Sequence, residues 1–253
     1  MREITYVSVI IPSRLQAHPH DPAGGLWLAR AVASVRAQHL GDDVQLEIVV
    51  GLDPGAAVPP GFPGVRWVHG AASSQAHAVN AAARAARGDV LAFLEDDDSW
   101  LPRRLEYGLA QLGAYDLVTA TQTVVTPDGR FKRIKDFPTP SGWLLRRAAW
   151  ERLGPLDESL RFHVDNDYLG RVNAHGLRRL HLVEMGAEIS ARKGLQKVAR
   201  VSDILATGEL RPLVTRTRNT RGGMALIRRE ASAHEQSRVE QEILRARYGE
   251  LPW

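Results

Sequence analysis

The alternation of strand-like and helix-like segments over the first 121 residues constrains the fold most strongly. Apolar, β-branched runs at 7–11, 45–52, 65–69, 89–94 and 115–121 predict buried strands. Helical apolar spacing or alanine-rich sequence predicts helices at 26–38, 75–87 and 102–112, with Gly88 as the C-cap of the second. This order is typical of an open, mainly parallel α/β sheet with helices on both faces.

The pattern changes in the second half of the chain. Residues 124–134 predict a hairpin around Pro127-Asp128-Gly129. Residues 165–175 look helical, 179–184 strand-like, and 192–222 basic with little periodicity. Residues 224–248 could form one long helix, whose apolar stripe would pack against the body of the protein or a second subunit. We therefore expect a domain at 1–190, in two halves at 1–122 and 123–190, followed by a basic loop and C-terminal helix at 191–253.

Composition limits the class of protein. Hydrophobic residues make up 44% of the chain, enough for a sizeable core, and no cysteine is present, which excludes disulfides and thiolate chemistry. The apolar run at 7–11 is too short for a signal peptide or a membrane span, so we expect a cytosolic protein. The net charge is +4, with the excess of arginine and lysine concentrated after residue 190. Such a basic segment could meet an anionic membrane surface or a phosphorylated small molecule, or could simply be solvated. The acidic run described next argues against a nucleic-acid partner.

Four consecutive acids, Glu95 to Asp98, follow directly after a predicted buried strand. Like charges this close disfavour ionisation unless a cation lies among them. Hard divalent ions such as Mg²⁺ and Mn²⁺ prefer such oxygen ligands. In an extended chain Glu95 and Asp97 would share one face and Asp96 and Asp98 the other. The alternative is that Asp98 or Ser99 caps the next helix and the other acids are solvated.

A second acid is expected at the same place in the fold. Asp53 ends one predicted strand, and Glu95 to Asp98 end another. Open α/β sheets bind their ligands at the carboxyl ends of the strands. The sequence therefore predicts that Asp53 and the acidic run meet at one ligand-binding edge.

Four blocks of the sequence resemble, in order, the family 2 glycosyltransferases, inverting enzymes with the GT-A fold that use nucleotide-sugars. The blocks are VSVIIPSR, EIVVGLD, NAAARAARGDVLAFLEDDDSWLPRRL and GWLLRRAAWERLGPLDESLRFHVDNDYLGRVNAHG. The acidic block combined with the Gly-Pro-Leu-Asp-Glu segment is the specific part of this resemblance. The resemblance implies a Rossmann-like, mainly parallel sheet flanked by helices, a mixed acceptor-side region and a C-terminal helical tail. It makes 1–122 the nucleotide-binding half of the domain and 123–190 the acceptor-side half.

The resemblance also implies roles for individual residues on the donor side. Asp53 matches the acid that accepts a hydrogen bond from the uracil or thymine imide, and Pro12 and Ser13 match the loop beneath the base. Glu95-Asp96-Asp97 stands where the family has its DXD motif, so that Asp97 with Glu95 would hold the metal and Asp96 would contact the nucleotide. Three further residues complete the expected donor site. Asn80 would lie near the nucleotide. Arg192 and Lys193 could bind the diphosphate, at the place where relatives often have a metal-binding histidine.

Other positions match the acceptor side of the family's site. Asp165 lies where the family has its catalytic base, and Asp167 and Arg171 follow it on the same predicted helix. Asp165 and Asp167 are about 200° apart around a helix, so they cannot both face the substrate. Asp167, His163 and Trp143 are candidate acceptor contacts. The alternatives are a helix-terminus charge for Asp167 and core packing for Trp143.

The function that follows is transfer of a sugar from a UDP- or dTDP-sugar to a hydroxyl acceptor, assisted by Mn²⁺ or Mg²⁺. The acceptor could be a glycan, a lipid-linked sugar or a small molecule, and the family suggests polysaccharide assembly. Two other functions stay open: a sugar-phosphate nucleotidyltransferase, and an inactive module that only binds nucleotide-sugars. Contact with the inner membrane face through the basic segment and a homodimer through the C-terminal helix are further expectations.

Overall fold

A central sheet of eight strands organises the part of the chain that the computed structural model describes, which is residues 5–135, 137–182, 197–199, 214–217 and 227–252. The strands are β1 Thr5–Ser13, β2 Val44–Leu52, β3 Val65–His69, β4 Val90–Phe93, β5 Ser99–Trp100, β6 Leu117–Ala120, β7 Gln122–Val125, β8 Phe131–Lys135, β9 Leu144–Arg146, β10 Arg179–Leu182, β11 Lys197–Ala199 and β12 Val214–Thr217. The helices are α1 Trp27–Arg36, α2 Gln75–Ala85, α3 Arg104–Gln111, α4 Arg147–Leu153, α5 Val164–Ala174 and α6 Ala231–Tyr248.

The central sheet is parallel except for one strand. Its order is β11-β10-β6-β9-β4-β1-β2-β3, and β9 runs antiparallel to both of its neighbours. The residues of β1 at 7–10 are fully buried, as the apolar sequence predicts for a strand covered on both faces. Two hydrophobic clusters lie against the sheet: one contains Ile10, Val49 and Phe93 and the other Val9, Val50 and Ala92. The mainly parallel α/β sheet with flanking helices is confirmed.

Close backbone contact explains the alanine-rich sequence of α2. A Cβ atom added to Gly51 of β2 would lie 2.1 Å from the carbonyl oxygen of Ala78 in α2, so only glycine fits there. Ser74 is the N-cap residue of this helix, and its side chain accepts from the N–H of His77. The helix ends at Ala85, and the predicted cap at Gly88 is wrong. Gly88 instead packs against β1, where an added Cβ would lie 2.6 Å from the backbone nitrogen of Ser8.

A smaller sheet carries the predicted hairpin. Its order is β5-β12-β7-β8, and β7 and β8 pair antiparallel around a turn in which Gly129 has a φ of 84°. A positive φ favours glycine, which is why the Pro-Asp-Gly sequence specifies this turn. Strand β12 was not predicted, because four residues in a basic stretch carry too little pattern to reveal a strand.

The C-terminal helix packs through a face that shares only Leu244 with the predicted apolar stripe. The predicted apolar stripe includes Val239 and Ile243, which are 43% and 37% exposed. The buried residues of α6 are Ala233, Ser237, Glu240 and Leu244. Two of these four are polar, so hydrophobic spacing alone could not find the face that contacts α5.

No membrane-spanning helix exists in the described ranges, since none of them combines the length and apolarity that a bilayer requires.

Candidate functional site

A cleft of about 410 Å³ opens where β1, β2 and β4 end. Most of its lining residues come from the ends of these strands and from the segment before α5. They are Pro12, Ser13, Arg14, Gln16, Asp53, Ser73, Ser74, Gln75, Ala78, Glu95, Asp96, Asp97, Glu158, Ser159, Leu160, Arg161, Phe162 and Gln236. The structure therefore brings Asp53 and the acidic run together at the carboxyl edge of the parallel strands, where ligands of such sheets bind.

Three of the four acids in the run line the cleft and the fourth is buried, whereas the sequence predicted two on each face. The chain turns at Asp96 and Asp97, and Glu95, Asp96 and Asp97 all line the cleft. The predicted alternation of faces is wrong because this segment is a turn and not an extended strand. Asp98 points inward with 0% exposure, and its carboxylate accepts from the Ser141 hydroxyl at 2.5 Å.

Asp98 is a structural acid and caps no helix. Helix α3 begins at Arg104 with Arg103 at the N-cap, so the capping alternative for Asp98 and Ser99 is also wrong. The Ser141 hydroxyl accepts from the N–H of Glu95 at 3.0 Å while it donates to Asp98. This relay fixes the backbone at the start of the acidic turn.

Asp96 lines the cleft and is strongly desolvated. Burial raises its pKa to about 6, and the nearby charge of Glu95 adds to the effect. The Ser13 hydroxyl opposes the shift by donating to Asp96 at 2.5 Å. An acid that is hard to ionise in isolation is stabilised by a bound cation, so this environment suits a metal ion.

Glu95 and Asp53 each lie beside a polar side chain from another segment of the chain. Gln75, the first residue of α2, donates to Glu95 at 3.0 Å. Arg14 lies 3.9 Å from the Asp53 carboxylate, and its backbone and charge both act on Asp96. Arg14 thus links the two acidic parts of the cleft.

Asp165 lies in the first turn of α5, near enough for the charge of Glu95 to act on it, but it is not among the residues that line the cleft. Burial raises its pKa, and the charge of Glu95 raises it further, while Lys135 of β8 and His163 act in the opposite direction. Its side chain is partly exposed, and its carboxylate accepts the N–H of Asn166 at 2.9 Å. A partly exposed carboxylate with a raised pKa is suited to accept a proton near neutral pH.

The acids of the turn offer the chemistry that a divalent ion needs. Mg²⁺ and Mn²⁺ are commonly held by one or two carboxylates together with substrate phosphates. In the described ranges, no three acidic or histidine side chains converge closely enough to form a complete metal site without a substrate. Glu95 and Asp97 both line the cleft and could supply the one or two carboxylates that the protein contributes to such a site.

Asn80 lies behind the cleft and does not reach its surface. It is 1% exposed, its amide donates to the carbonyl of Leu156 and to Glu158, and its oxygen accepts from the N–H of Leu156 at 2.9 Å. The predicted contact with a nucleotide is incompatible with this position. Asn80 instead fixes the segment that carries the cleft residue Glu158.

Trp143 is a core residue. It is 1% exposed, its ring stacks on Tyr168 at 5.2 Å, and its indole N–H donates to the carbonyl of Pro138. The predicted contact with an acceptor is therefore wrong, and the core alternative holds because both faces of the ring are covered.

Asp167 is a buried anchor for the C-terminal helix. It is 1% exposed and accepts from Arg171 at 3.0 Å, and from Arg247 and Tyr248 at 2.9 Å. Its carboxylate is buried and accepts these hydrogen bonds from within the protein, so the predicted direct contact with an acceptor is wrong. The burial of Asp167 agrees with the helix argument that Asp165 and Asp167 cannot both face the substrate.

His163 lies between the cleft and the C-terminal helix. Its ring makes hydrogen bonds to Ser237 at 2.8 Å and Asn166 at 3.2 Å, and part of the ring stays exposed. The predicted diphosphate ligands Arg192 and Lys193 lie outside the described residues.

Sequence reasoning missed several residues of the cleft. Gln75 and Arg14 adjoin predicted strand and helix ends, so their position at the ligand edge could have identified them. Lys135 and Gln236 come from distant segments, and no local pattern points to their place near the site.

Comparison with known proteins identifies the family. The profile described as "Glycosyl transferase family 2" matches residues 8–162, which is more than half of the chain. The chain belongs to glycosyl transferase family 2. The match includes Asp53 and the acidic turn and ends three residues before Asp165.

Solved structures share the GT-A fold of this family 2 chain. The mannosyltransferase PcManGT from Pyrobaculum calidifontis, in complex with GDP-Man and Mn²⁺, has a TM-score of 0.58 and 16% identity, covering 94% of this chain and 65% of that one. The TarS 1–349 structure from S. aureus with UDP has a TM-score of 0.54 and 13% identity, covering 96% and 72%. TarS 1–349 with UDP-GlcNAc has a TM-score of 0.56 and 12% identity, covering 94% and 71%.

This family 2 chain is thus shorter than these structural relatives, spanning 65% of the PcManGT chain. No curated protein sequence matches it.

Proposed function

We propose that the chain is an inverting glycosyltransferase that moves a sugar from a UDP- or dTDP-sugar to a hydroxyl group of an acceptor. One observation carries this proposal: a single cleft holds Asp53 and the acidic turn, and Asp165 lies close enough for the charge of Glu95 to raise its pKa. A nucleotide pocket, a phosphate-facing acidic turn and a proton acceptor are the parts that such a transfer requires.

The donor would lie along the cleft with its base between the ends of β1 and β2. Asp53 can accept the imide N–H that uracil and thymine share, and Pro12 and Ser13 lie beside it. Asp96, which also lines the cleft, would contact the ribose. Arg161 lines the far part of the cleft and offers positive charge to a diphosphate.

A divalent cation held by Glu95 and Asp97 would supply positive charge to the diphosphate leaving group. Gln75 and the relay from Ser141 hold Glu95 in place, so this part of the site is preorganised.

Asp165 would act as the general base. It accepts the proton of the acceptor hydroxyl while that oxygen forms a bond to the anomeric carbon of the sugar. The bond from this carbon to the phosphate oxygen breaks, and the nucleoside diphosphate leaves with the electron pair. A single displacement of this kind inverts the anomeric centre. The raised pKa of Asp165 strengthens it as a base relative to an ordinary carboxylate.

Thermal unfolding with nucleotides tests the donor site. We expect UDP or dTDP with Mn²⁺ to raise Tm, and Asp97→Ala to abolish the metal-dependent part of the shift. Asp42→Ala, at an exposed acid outside the cleft, is the matched control and should keep the full shift. A protein that is stabilised by no nucleotide, with or without Mn²⁺, contradicts the proposal.

A donor screen tests the reaction. UDP-, dTDP- and GDP-sugars are incubated with the protein and Mn²⁺, and free nucleotide is measured with water as the default acceptor. Slow release of UDP or dTDP is the expected result. Binding without any release would identify an inactive module. Release of pyrophosphate from a nucleoside triphosphate and a sugar phosphate would identify a nucleotidyltransferase.

A further inference from the structure

A buried acid of the C-terminal helix is bonded to the segment that leads to Asp165. Glu240 of α6 is 3% exposed. One of its carboxylate oxygens accepts from the backbone N–H of Arg161 at 2.9 Å. The other accepts from the N–H groups of Phe162 at 2.8 Å and His163 at 3.0 Å. Three consecutive backbone donors therefore converge on one side chain.

This arrangement satisfies the backbone N–H groups that lead into α5, a helix without a side-chain cap of its own. The residue before the helix, His163, makes no side-chain capping bond, and its φ of −119° and ψ of 27° are not helical. N–H groups at and before a helix start need acceptors from elsewhere, and a carboxylate there also meets the positive end of the helix dipole. Glu240 supplies this acceptor from a position 77 residues along the chain from His163.

The backbone that Glu240 holds forms one wall of the cleft. Arg161 and Phe162 both line the cleft, and Asp165 follows two residues after His163. The same helix makes two further contributions, since Ser237 bonds to the His163 ring at 2.8 Å and Gln236 lines the cleft itself. A shift of the 161–163 backbone would therefore move both the cleft wall and the proton acceptor.

We propose that Glu240 is a positioning residue for the transfer reaction. It sets the backbone of residues 161–163, and through them it places Asp165 relative to the donor. This inference rests on the proposed function for its catalytic part only. The structural part, that a charged side chain of α6 fixes the segment before α5, can be tested without any substrate.

The informative variant is Glu240→Gln. The amide that it introduces keeps the length of the side chain but offers one acceptor oxygen, and its NH₂ group would face backbone donors. Glu242→Gln is the matched control, because Glu242 is exposed on the same helix and pairs with Arg238. Glu240→Asp keeps the charge but shortens the reach by one methylene group, which makes it the variant to use if Glu240→Gln does not fold.

Hydrogen exchange reads the backbone directly. In the wild type we expect the amides of residues 161–163 to be protected, and in Glu240→Gln to exchange ~10-fold faster or more, with Glu240→Asp in between. Glu242→Gln should exchange like the wild type. Unchanged protection in folded Glu240→Gln, or in folded Glu240→Asp where only that variant folds, would overturn the proposal.

Kinetics separate positioning from general stability. Well below the Tm of each variant, we expect Glu240→Gln to lower kcat by ~10- to 100-fold, because misplacement of a reacting group by about 1 Å has effects of this order. KM for the donor should change less than kcat, because Asp53 and Ser13, which would hold the base, lie outside the 161–163 segment and only Arg161 of the proposed donor contacts would move. A purely structural Glu240 would leave kcat unchanged at that temperature. If the wild type itself releases no nucleotide from any donor, the proposed function fails, and the exchange result still decides whether Glu240 holds the segment.

Discussion

The acids of one short turn differ in burial and hydrogen bonding, and these differences give them different chemical roles. Asp98 is fully buried and accepts from Ser141, so it supports the turn. Asp96 has a pKa raised to about 6 by burial, and Glu95 is held by Gln75. Asp165, from a different element, also has a pKa raised by burial. Burial and hydrogen bonding, more than residue type, therefore decide which carboxylate supports the fold and which can act on a ligand.

Asp165→Asn should separate activity from stability. We expect kcat to fall by ~10²- to 10⁴-fold, the usual contribution of a general base. The stability should not fall. A carboxyl whose folded-state pKa is raised stabilises the fold at low pH, and that contribution is lost as the pH rises through the folded-state pKa. At neutral pH the ionised Asp165 is therefore unfavourable, and asparagine removes this cost.

The measurement is Tm at pH 7 beside single-turnover rates, with Asp42→Asn as the exposed control. An Asp165→Asn variant with near-wild-type kcat, or with a clearly lower Tm, would show that Asp165 is not the base or is needed for the fold.

The pH dependence of kcat should report the same carboxyl. Asp165 must be deprotonated to accept a proton, and its pKa lies above that of an ordinary aspartate. We therefore expect kcat at saturating donor to decline as the pH falls, starting at a higher pH than the value near 3.9 of an unperturbed aspartate. Nucleotide affinity is measured in parallel, because burial raises the pKa of Asp96 to about 6 and this acid is proposed to contact the donor. A kcat that stays constant down to about pH 4 would speak against Asp165.

At the scale of elements, α6 is joined to α5 and to the segment before it. Glu240, in the middle of α6, accepts from the N–H of Phe162 just before α5, and Tyr248, the last residue of α6, donates to Asp167 of α5. Both contacts hold the two helices together. Between them lies Gly170, where an added Cβ would come within 2.7 Å of the Tyr248 ring and 2.8 Å of the Pro252 ring. Glycine in mid-helix is unfavourable in itself, so its presence here is explained by this close approach.

Gly170→Ala should lower the free energy of unfolding despite the higher helix propensity of alanine. The propensity gain is at most ~1 kcal/mol, whereas overpacking of a fitted contact typically costs ~1–3 kcal/mol. Urea denaturation would measure the difference. Gly113→Ala is the control, because an added Cβ there meets nothing within 4 Å. A Gly170→Ala protein as stable as the wild type would mean that α6 can move aside at little cost.

At the scale of the whole molecule, local patterns predicted the sheet and its ligand edge but not the far wall of the cleft. The apolar run of β1 and the position of Asp53 after β2 depend on neighbouring residues in the sequence, and both were correctly interpreted. Trp143 could not be placed, because a tryptophan in a short mixed segment has the same local signal in a core as in a pocket. The role of Glu240 could not be found either, since a glutamate in a charged helix resembles a solvated one until its partners 77 to 79 residues away are known.

The dependence of the Asp165 segment on α6 has a consequence for biosynthesis. Residues up to 182 can emerge from the ribosome and form most of the central sheet while α6 is still untranslated. At that stage a nascent chain would possess the strand ends that carry Asp53 and the acidic turn, yet the amides before α5 would lack their acceptor. Catalytic competence would then arise late, in a step that follows formation of the sheet, when the final helix docks.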